Sequence, residues 1–301
     1  MNRTRSERTG AGMILGAGIL WGTIGLFVKQ LNACGASPEL TSFLRVALAG
    51  LIMAVLGVFK KGTGCFRIGR KSLLTCMLLG VICHGVYNVL RSVAILRAGV
   101  AVSTVLLNVA PVVTLLCSAS LFGEKLTAEK HAAVTLCVCG CVLASVSGDL
   151  SAASVSIIGL LCALGSGVCY GMTAIFGKLA GEEEDPITIS IYSYLFAALF
   201  LGLWMQPWNS LPVVNREILT WSALYALIPT ALGYLLYYRG VQMLRNPGKV
   251  PVIASVETVF AVLLGGAVYG ETISTARICG IVLVLGAIVL MNTTRKVRVK
   301  A

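Results

Sequence analysis

The segment LGAGILWGTIGLFVK at residues 15–29 recurs without gaps as LGSGVCYGMTAIFGK at residues 164–178. Six of the fifteen aligned positions are identical, and Trp21 in the first segment aligns with Tyr170 in the second. Self-similarity at one fixed offset, here 149 residues, indicates a structural unit that the chain uses twice.

A second pair of segments, residues 110–127 and 257–274, supports the same division. They align at an offset of 147 and match the Gly-Glu dipeptide at 123–124 to the one at 270–271. Because the two offsets nearly agree, the sequence predicts two related halves of about 150 residues each.

The composition indicates that these halves are dissolved in a lipid bilayer. Hydrophobic residues make up 57% of the 301 residues, whereas charged residues make up only 12%. That charged share is about half of the usual one and cannot cover a water-facing surface. The net charge of +12 comes from Lys and Arg scattered between apolar runs, which predicts no nucleic-acid partner. Nine of the 11 cysteines lie in apolar segments, where Cys packs as a small hydrophobe rather than forming a disulfide framework.

Ten apolar stretches are long enough to cross a bilayer, so the sequence predicts an all-α integral membrane protein with ten transmembrane helices. The first stretch follows an Arg-rich start but continues to Val28 without a clean cleavage site, and is therefore interpreted as a helix rather than a signal peptide. The predicted helices cover residues 11–29, 38–58, 72–92, 98–119, 131–147, 154–177, 187–205, 219–238, 250–269 and 275–292.

The odd number of helices in each half predicts an inverted repeat. With five helices per unit, the second unit enters the membrane from the side opposite to the first, and the two are related by a pseudo-twofold axis in the membrane plane. This symmetry is the physical basis of alternating access.

The distribution of Lys and Arg predicts the orientation. Eighteen of the 24 lie in segments on the side of the termini, five lie on the opposite side, and Arg45 lies within a helix. Positive segments are retained in the cytoplasm, so we expect a multi-pass protein of the cell (plasma) membrane with both termini cytoplasmic.

Several short motifs resemble those of the drug/metabolite transporter superfamily, EamA type. They are Trp21-Gly22, Arg45, Asn108-Val-Ala-Pro111, Phe122-Gly-Glu124, Ser255-Val-Glu257 and Tyr269-Gly-Glu271. The resemblance implies a secondary carrier with a cavity near the membrane midplane, usually exporting amino acids, metabolites or drugs. It also implies two EamA-like five-helix repeats, residues 1–148 and 149–301, the second ending in a basic cytoplasmic tail. Thr258 stands where the family has a proline, which leaves a kink at this position open.

Glu257 is the first candidate for substrate binding or coupling, because it is the only acidic residue clearly inside a predicted helix. Counted from Val250 it lies about 10 Å deep. An ionised carboxylate there costs at least about 2.5 kcal/mol, so we expect it to face a cavity, to pair or to be protonated. A purely structural pair is the alternative.

His84 lies near the middle of the third helix, and its side chain would suit proton coupling. The alternative is a neutral, hydrogen-bonded histidine. Tyr87 and Asn88 follow on adjacent helical positions, and the repeat aligns Tyr234 with Tyr87, so we expect polar aromatic residues on both sides of the cavity.

Three further residues are candidate cavity residues. Trp21 and Tyr170 hold equivalent positions as aromatic side chains with a polar tip, which favours a cavity wall over the core. Arg45 has a side chain long enough to let its head group reach the outer side of the membrane. Anchoring or structural pairing of Arg45 is favoured over substrate binding, which stays as the alternative.

Two Gly-x-x-x-Gly pairs, at Gly18 and Gly22 and at Gly167 and Gly171, predict close helix packing. Because they recur at equivalent positions, we expect the first helix to pack against the sixth.

The leading functional hypothesis is a secondary active transporter for a small metabolite such as an amino acid or a drug-like compound, with proton coupling as an option. Efflux is implied by the resemblance alone. An intramembrane enzyme needs a convergent catalytic set, and a receptor or scaffold needs no inverted repeat; both stay as alternatives. No catalytic residue, metal site or cofactor is predicted, and the run Cys137 to Cys141 is interpreted as helix packing. The expected partners are a small-molecule substrate, the lipid bilayer and protons, and the chain is expected to be a monomer or a homodimer.

Overall fold

A computed structural model describes residues 3–145, 156–270 and 274–293. It confirms the all-α fold with ten helices long and apolar enough to cross a membrane. The predicted boundary between the halves and the basic tail from Arg295 onward lie outside the described residues. The helices are α1 (Ser6–Ala33), α2 (Pro38–Phe66), α3 (Arg70–Ala98), α4 (Val102–Phe122), α5 (Ala128–Ser145), α6 (Ile157–Ala180), α7 (Pro186–Met205), α8 (Arg216–Met243), α9 (Pro247–Tyr269) and α10 (Thr275–Asn292).

Ten crossings place the start of α1 and the end of α10 on the same side of the membrane. We call this side the terminal face and the opposite side the distal face. Contacts between helix ends agree with this arrangement, because Lys61 at the end of α2 forms an ion pair with Asp185 at the start of α7.

The second helix of each half begins at the same kind of cap. The Ser37 side chain accepts a backbone hydrogen bond at 3.2 Å and is followed by Pro38. The Asp185 carboxylate accepts one at 2.8 Å and is followed by Pro186. An oxygen at the cap satisfies an N–H group that has no partner within the helix, and proline fits the first helical position, so both starts are fixed locally.

The irregular turns of the two halves also correspond. Residues Leu79–Val86 in α3 and Ala226–Leu232 in α8 form π-helical segments, and their starts are 147 residues apart. The glycines that end α4 and α9, Gly123 and Gly270, both adopt left-handed conformations, with φ of 62° and 65°. Glycine ends helices readily because it has no Cβ to clash in this region.

The two fourth helices are interrupted at equivalent positions. The helical run in α4 stops at Leu107 and resumes at Ala110, and the run in α9 stops at Ala254 and resumes at Val256. The α9 interruption forms although Thr258 replaces the family's proline. At both interruptions a backbone carbonyl, that of Leu107 or Ala254, lies against a glycine of a neighbouring helix.

The glycine pairs make close helix contacts at these interruptions, but the expected pairing of α1 with α6 is wrong. A Cβ on Gly18 would lie 2.7 Å from the carbonyl oxygen of Ala254 in α9, and one on Gly167 would lie 3.1 Å from that of Leu107 in α4. The pairs therefore pack α1 against α9 and α6 against α4. A small-residue pair indicates that a backbone approaches closely and does not specify which helix supplies it.

Candidate functional site: a cavity open toward the distal face

A cavity of about 620 Å³ lies between the two halves. Its lining runs from the middle of the helices to residues at the distal ends, including Asn32 of α1, Pro38 of α2 and Arg277 of α10. The volume lies within the range of small-molecule sites. In the part of the chain that the structure describes, no residue from the terminal-face ends of the helices contributes to it.

Four aromatic side chains form the inner end of the cavity, and we call them the aromatic floor: Trp21, Tyr87, Tyr170 and Tyr234. The Trp21 and Tyr234 rings have centroids 4.8 Å apart, and the Tyr87 and Tyr170 rings have centroids 6.0 Å apart. The first contact joins α1 to α8, and the second joins α3 to α6. The repeat aligns Trp21 with Tyr170 and Tyr234 with Tyr87, so the two contacts are equivalent to each other and the four residues selected from the alignment lie together.

Glu257 lies in the cavity just after the interruption of α9. The Tyr170 hydroxyl donates to its carboxylate, at 3.2 Å from one oxygen and 3.3 Å from the other. Arg91 interacts with it electrostatically. Of the environments expected from the sequence, the structure places this carboxylate in a cavity with a hydrogen-bond donor beside it.

Arg45 also lines the cavity, and only 7% of it is exposed. Its guanidinium carbon lies 5.5 Å from the centroid of the Tyr225 ring, a distance at which a cation is attracted to the aromatic face. None of the ion pairs in the described ranges includes Arg45. Its head group is therefore buried beside an aromatic ring and not beside a carboxylate of the described chain.

His84 lies behind the aromatic floor, with 1% of it exposed. Its Nε2 atom is 3.0 Å from the Tyr238 hydroxyl, and its ring packs edge-on against Tyr234 with centroids 4.8 Å apart. Asn88 lines the cavity and donates to the His84 carbonyl, which satisfies an acceptor at the end of the π-helical segment. A substrate in the cavity thus meets Tyr234 and Asn88 before it meets His84.

Arg91 is a cavity residue that the sequence counted only as a charge on the outer side. One of its terminal nitrogens, Nη2, donates to the Thr104 hydroxyl at 3.3 Å. The other, Nη1, is buried without a hydrogen-bond partner in the described chain. The available signal was its position four residues after Tyr87, which puts both side chains on one helix face.

The terminal face is closed below the floor by Lys178 near the end of α6. Its Nζ atom donates to the carbonyl oxygens of Val241, Gln242 and Leu244, at 3.5, 3.2 and 2.6 Å. These carbonyls are at the end of α8, where the helix leaves acceptors without internal donors. Lys178 thus ties the terminal-face ends of α6 and α8 together.

A buried ion pair closes the same face between α4, α5 and α9. Lys130 Nζ lies 2.7 Å from Glu124 Oε1, and both side chains are almost fully buried. The Ser118 hydroxyl and the Gly248 N–H also donate to this carboxylate. A Cβ on Gly248 would lie 2.7 Å from Glu124 Oε2, so this approach requires glycine.

Comparison with known proteins connects this architecture to transport. The model of the EamA-like transporter family matches residues 8–146 and again residues 157–293. The threonine/homoserine exporter RhtA of Escherichia coli K12 is 27% identical over 281 residues, which cover 90% of this chain and 86% of that protein. The uncharacterized transporter YwfM of Bacillus subtilis is 25% identical over 290 residues, 94% of each chain.

One solved crystal structure has the same fold, with a TM-score of 0.78 at 19% identity over 94% of this chain and 96% of that one. Ten spanning helices and relatives named as bacterial transporters make the chain a multi-pass protein of the cell membrane with a small-molecule substrate. The family model covers both halves of the chain. The chain belongs to the EamA-like transporter family.

Proposed function

We propose that this protein is a secondary active transporter that exports a small metabolite, such as an amino acid or a drug-like compound, by alternating access. The observation that carries the proposal is a cavity that reaches the distal face and contains Glu257, while Lys178 and the Glu124–Lys130 pair close the terminal face. A site accessible from one side only is the state expected of a carrier between two half-cycles.

Alternating access is supported by contacts that the two halves make in parallel. Gly22 packs on the Glu257 carbonyl of α9, and Gly171 packs on the Ala110 carbonyl of α4. Because 110 and 257 are equivalent in the repeat, each half supplies the same helix contact to the other. We propose that the halves form the inverted repeat 1–148 and 149–301, in which exchange of their conformations moves the opening from one face to the other.

Export is proposed from the name of one relative, and the proposed orientation is compatible with it. If both termini are cytoplasmic, the distal face is outside, and an exporter releases its substrate from a state with this face open. The name of RhtA as an exporter supports this direction. An intramembrane enzyme is less well supported, because the family and the named relatives are transporters.

Proton coupling is proposed to depend on Glu257. When ionised, the carboxylate accepts a hydrogen bond from the Tyr170 hydroxyl and gives the cavity a negative charge. Protonation removes that charge, so a proton and a positively charged substrate group compete for the same place. His84 is the weaker candidate, since Tyr234 stands between its ring and the cavity.

Flux measurements test the proposal. The purified chain in proteoliposomes should move at least one member of a panel of amino acids and cationic drugs, and a pH gradient should drive accumulation. Liposomes without protein and liposomes with Glu257→Gln are the controls. Absence of flux for the whole panel, with and without a gradient, would count against transport of these compounds.

A further inference from the structure

The charged groups in the cavity are unequal in number. Arg45 and Arg91 both line it, whereas Glu257 is the only carboxylate among its lining residues in the described chain. Cations inside a membrane protein are costly unless an anion or several polar groups compensate them. The cavity therefore favours a ligand that contributes negative charge.

Two of these arginines have unused donor capacity at the cavity. Only 7% of Arg45 is exposed, and it takes part in none of the ion pairs in the described ranges. The Nη1 atom of Arg91 is buried without a hydrogen-bond partner in the described chain, while its Nη2 donates to the Thr104 hydroxyl. Both guanidinium groups therefore line the cavity and keep hydrogen-bond donors that a ligand could use.

Tyr87 relates the two arginines to each other and to Glu257. It lines the same cavity as Arg45, Arg91 and Glu257, and its ring contacts that of Tyr170, whose hydroxyl donates to Glu257. A ligand in this cavity that contacts Tyr87 therefore shares the cavity with both guanidinium groups and the carboxylate.

We infer that Arg45 and Arg91 form a carboxylate-binding site, and that the substrate is a small zwitterion whose carboxylate binds them while its ammonium group binds Glu257. Guanidinium groups present paired donors that match both oxygens of a carboxylate. The aromatic floor then contacts the uncharged part of the substrate. This inference rests on the proposed function and narrows it from metabolites and drugs to compounds with a free carboxylate.

The test compares acids with their amides. The full-length protein in detergent is titrated with the twenty L-amino acids, with the carboxamide of each, and with tetraphenylphosphonium as a cation that lacks a carboxylate. We expect at least one acid to bind, with an affinity at least about 10-fold higher than that of its amide, because the amide loses its charge-assisted bonds.

Variants locate the effect. Arg45→Gln and Arg91→Gln should each lower the affinity for the acid by about 10-fold to 100-fold and leave the affinity for the amide unchanged. Arg45→Lys keeps the charge, loses the paired donors and should fall in between. Lys60→Gln removes an exposed positive charge outside the cavity and should change neither affinity. If Arg45→Gln does not fold, which is judged by whether it elutes as a single species in size-exclusion chromatography, the affinities of Arg91→Gln and Arg45→Lys for acid and amide are compared instead.

Several results would overturn the inference. They are equal affinity for acid and amide, an equal loss of both in the arginine variants, binding of tetraphenylphosphonium alone, and no binding by any acid in the panel. Flux of a compound without a carboxylate would leave the proposed transport function in place and overturn only the carboxylate site.

Discussion

Replacement of Lys178 by Gln tests whether the terminal face is held closed by hydrogen bonds to the end of α8. The shortest of the three bonds joins Lys178 Nζ to the Leu244 carbonyl oxygen at 2.6 Å. A bond with a charged partner contributes roughly 1.5–3 kcal/mol when buried. Lys178 is only half-buried, and screening by solvent reduces this to about 1 kcal/mol. The bonds exist while the terminal face is closed, so their loss should shift the population about 5-fold toward the state with that face open.

Hydrogen–deuterium exchange with mass spectrometry measures this shift without labels. In Lys178→Gln, exchange should rise at the end of α8 and at the start of α9, around Leu244 and Gly248, and fall in the distal parts of α2 and α8 that line the cavity. Lys29→Gln is the matched control, because Lys29 is the repeat equivalent of Lys178 and lies 3.7 Å from the centroid of the Tyr269 ring near the distal face. An unchanged exchange pattern, or the same pattern in Lys29→Gln, would refute the reasoning.

Four further predictions concern coupling, packing and orientation. Glu257→Gln should reduce accumulation driven by a one-unit pH gradient from about 10-fold, the value for one proton per substrate, to about 1-fold while exchange at equal pH persists; full gradient-driven flux would make Glu257 structural. His84→Gln, measured in the same assay, should retain most of the accumulation, and a complete loss would move coupling to the histidine. Gly22→Ala should lower the unfolding free energy in detergent by about 1–3 kcal/mol, because its Cβ would lie 2.7 Å from Phe260 Cβ, whereas Gly12→Ala has no atom within 4 Å and should be neutral. A cysteine introduced at Gly64 should resist impermeant thiol reagents in intact cells, and labelling there would reverse the proposed orientation.

The number of helices was predictable from the sequence because bilayer thickness fixes the length of each apolar run. The aromatic floor was predictable for a different reason: Trp21 and Tyr170 are equivalent in the repeat, as are Tyr87 and Tyr234, and equivalent positions in two related halves face a shared interior. The partners of the glycine pairs were not predictable, since the pattern Gly-x-x-x-Gly describes one helix face and contains no information about the helix opposite.

Arg91 was missed because its helix is longer than its apolar run. The sequence ended the third helix near residue 92, where the charge begins, whereas α3 continues to Ala98. Arg91 is therefore two turns inside the helix, and its head group points to Thr104 in the cavity wall. The bonds of Lys178 were equally invisible, because they join positions more than 60 residues apart that share no pattern.

One helix in each half joins a residue of the aromatic floor to a lysine near the end of that helix. Tyr170, which donates to Glu257, and Lys178, which holds the end of α8, are eight residues apart on α6, about 12 Å along one helix. Trp21 and Lys29 have the same spacing on α1, which runs toward the distal face. In the structure Lys178 lies on the carbonyl groups of α8, whereas Lys29 lies over the Tyr269 ring. Two related halves in different conformations are what the proposed alternation requires, because two halves in the same conformation would leave both faces closed or both faces open.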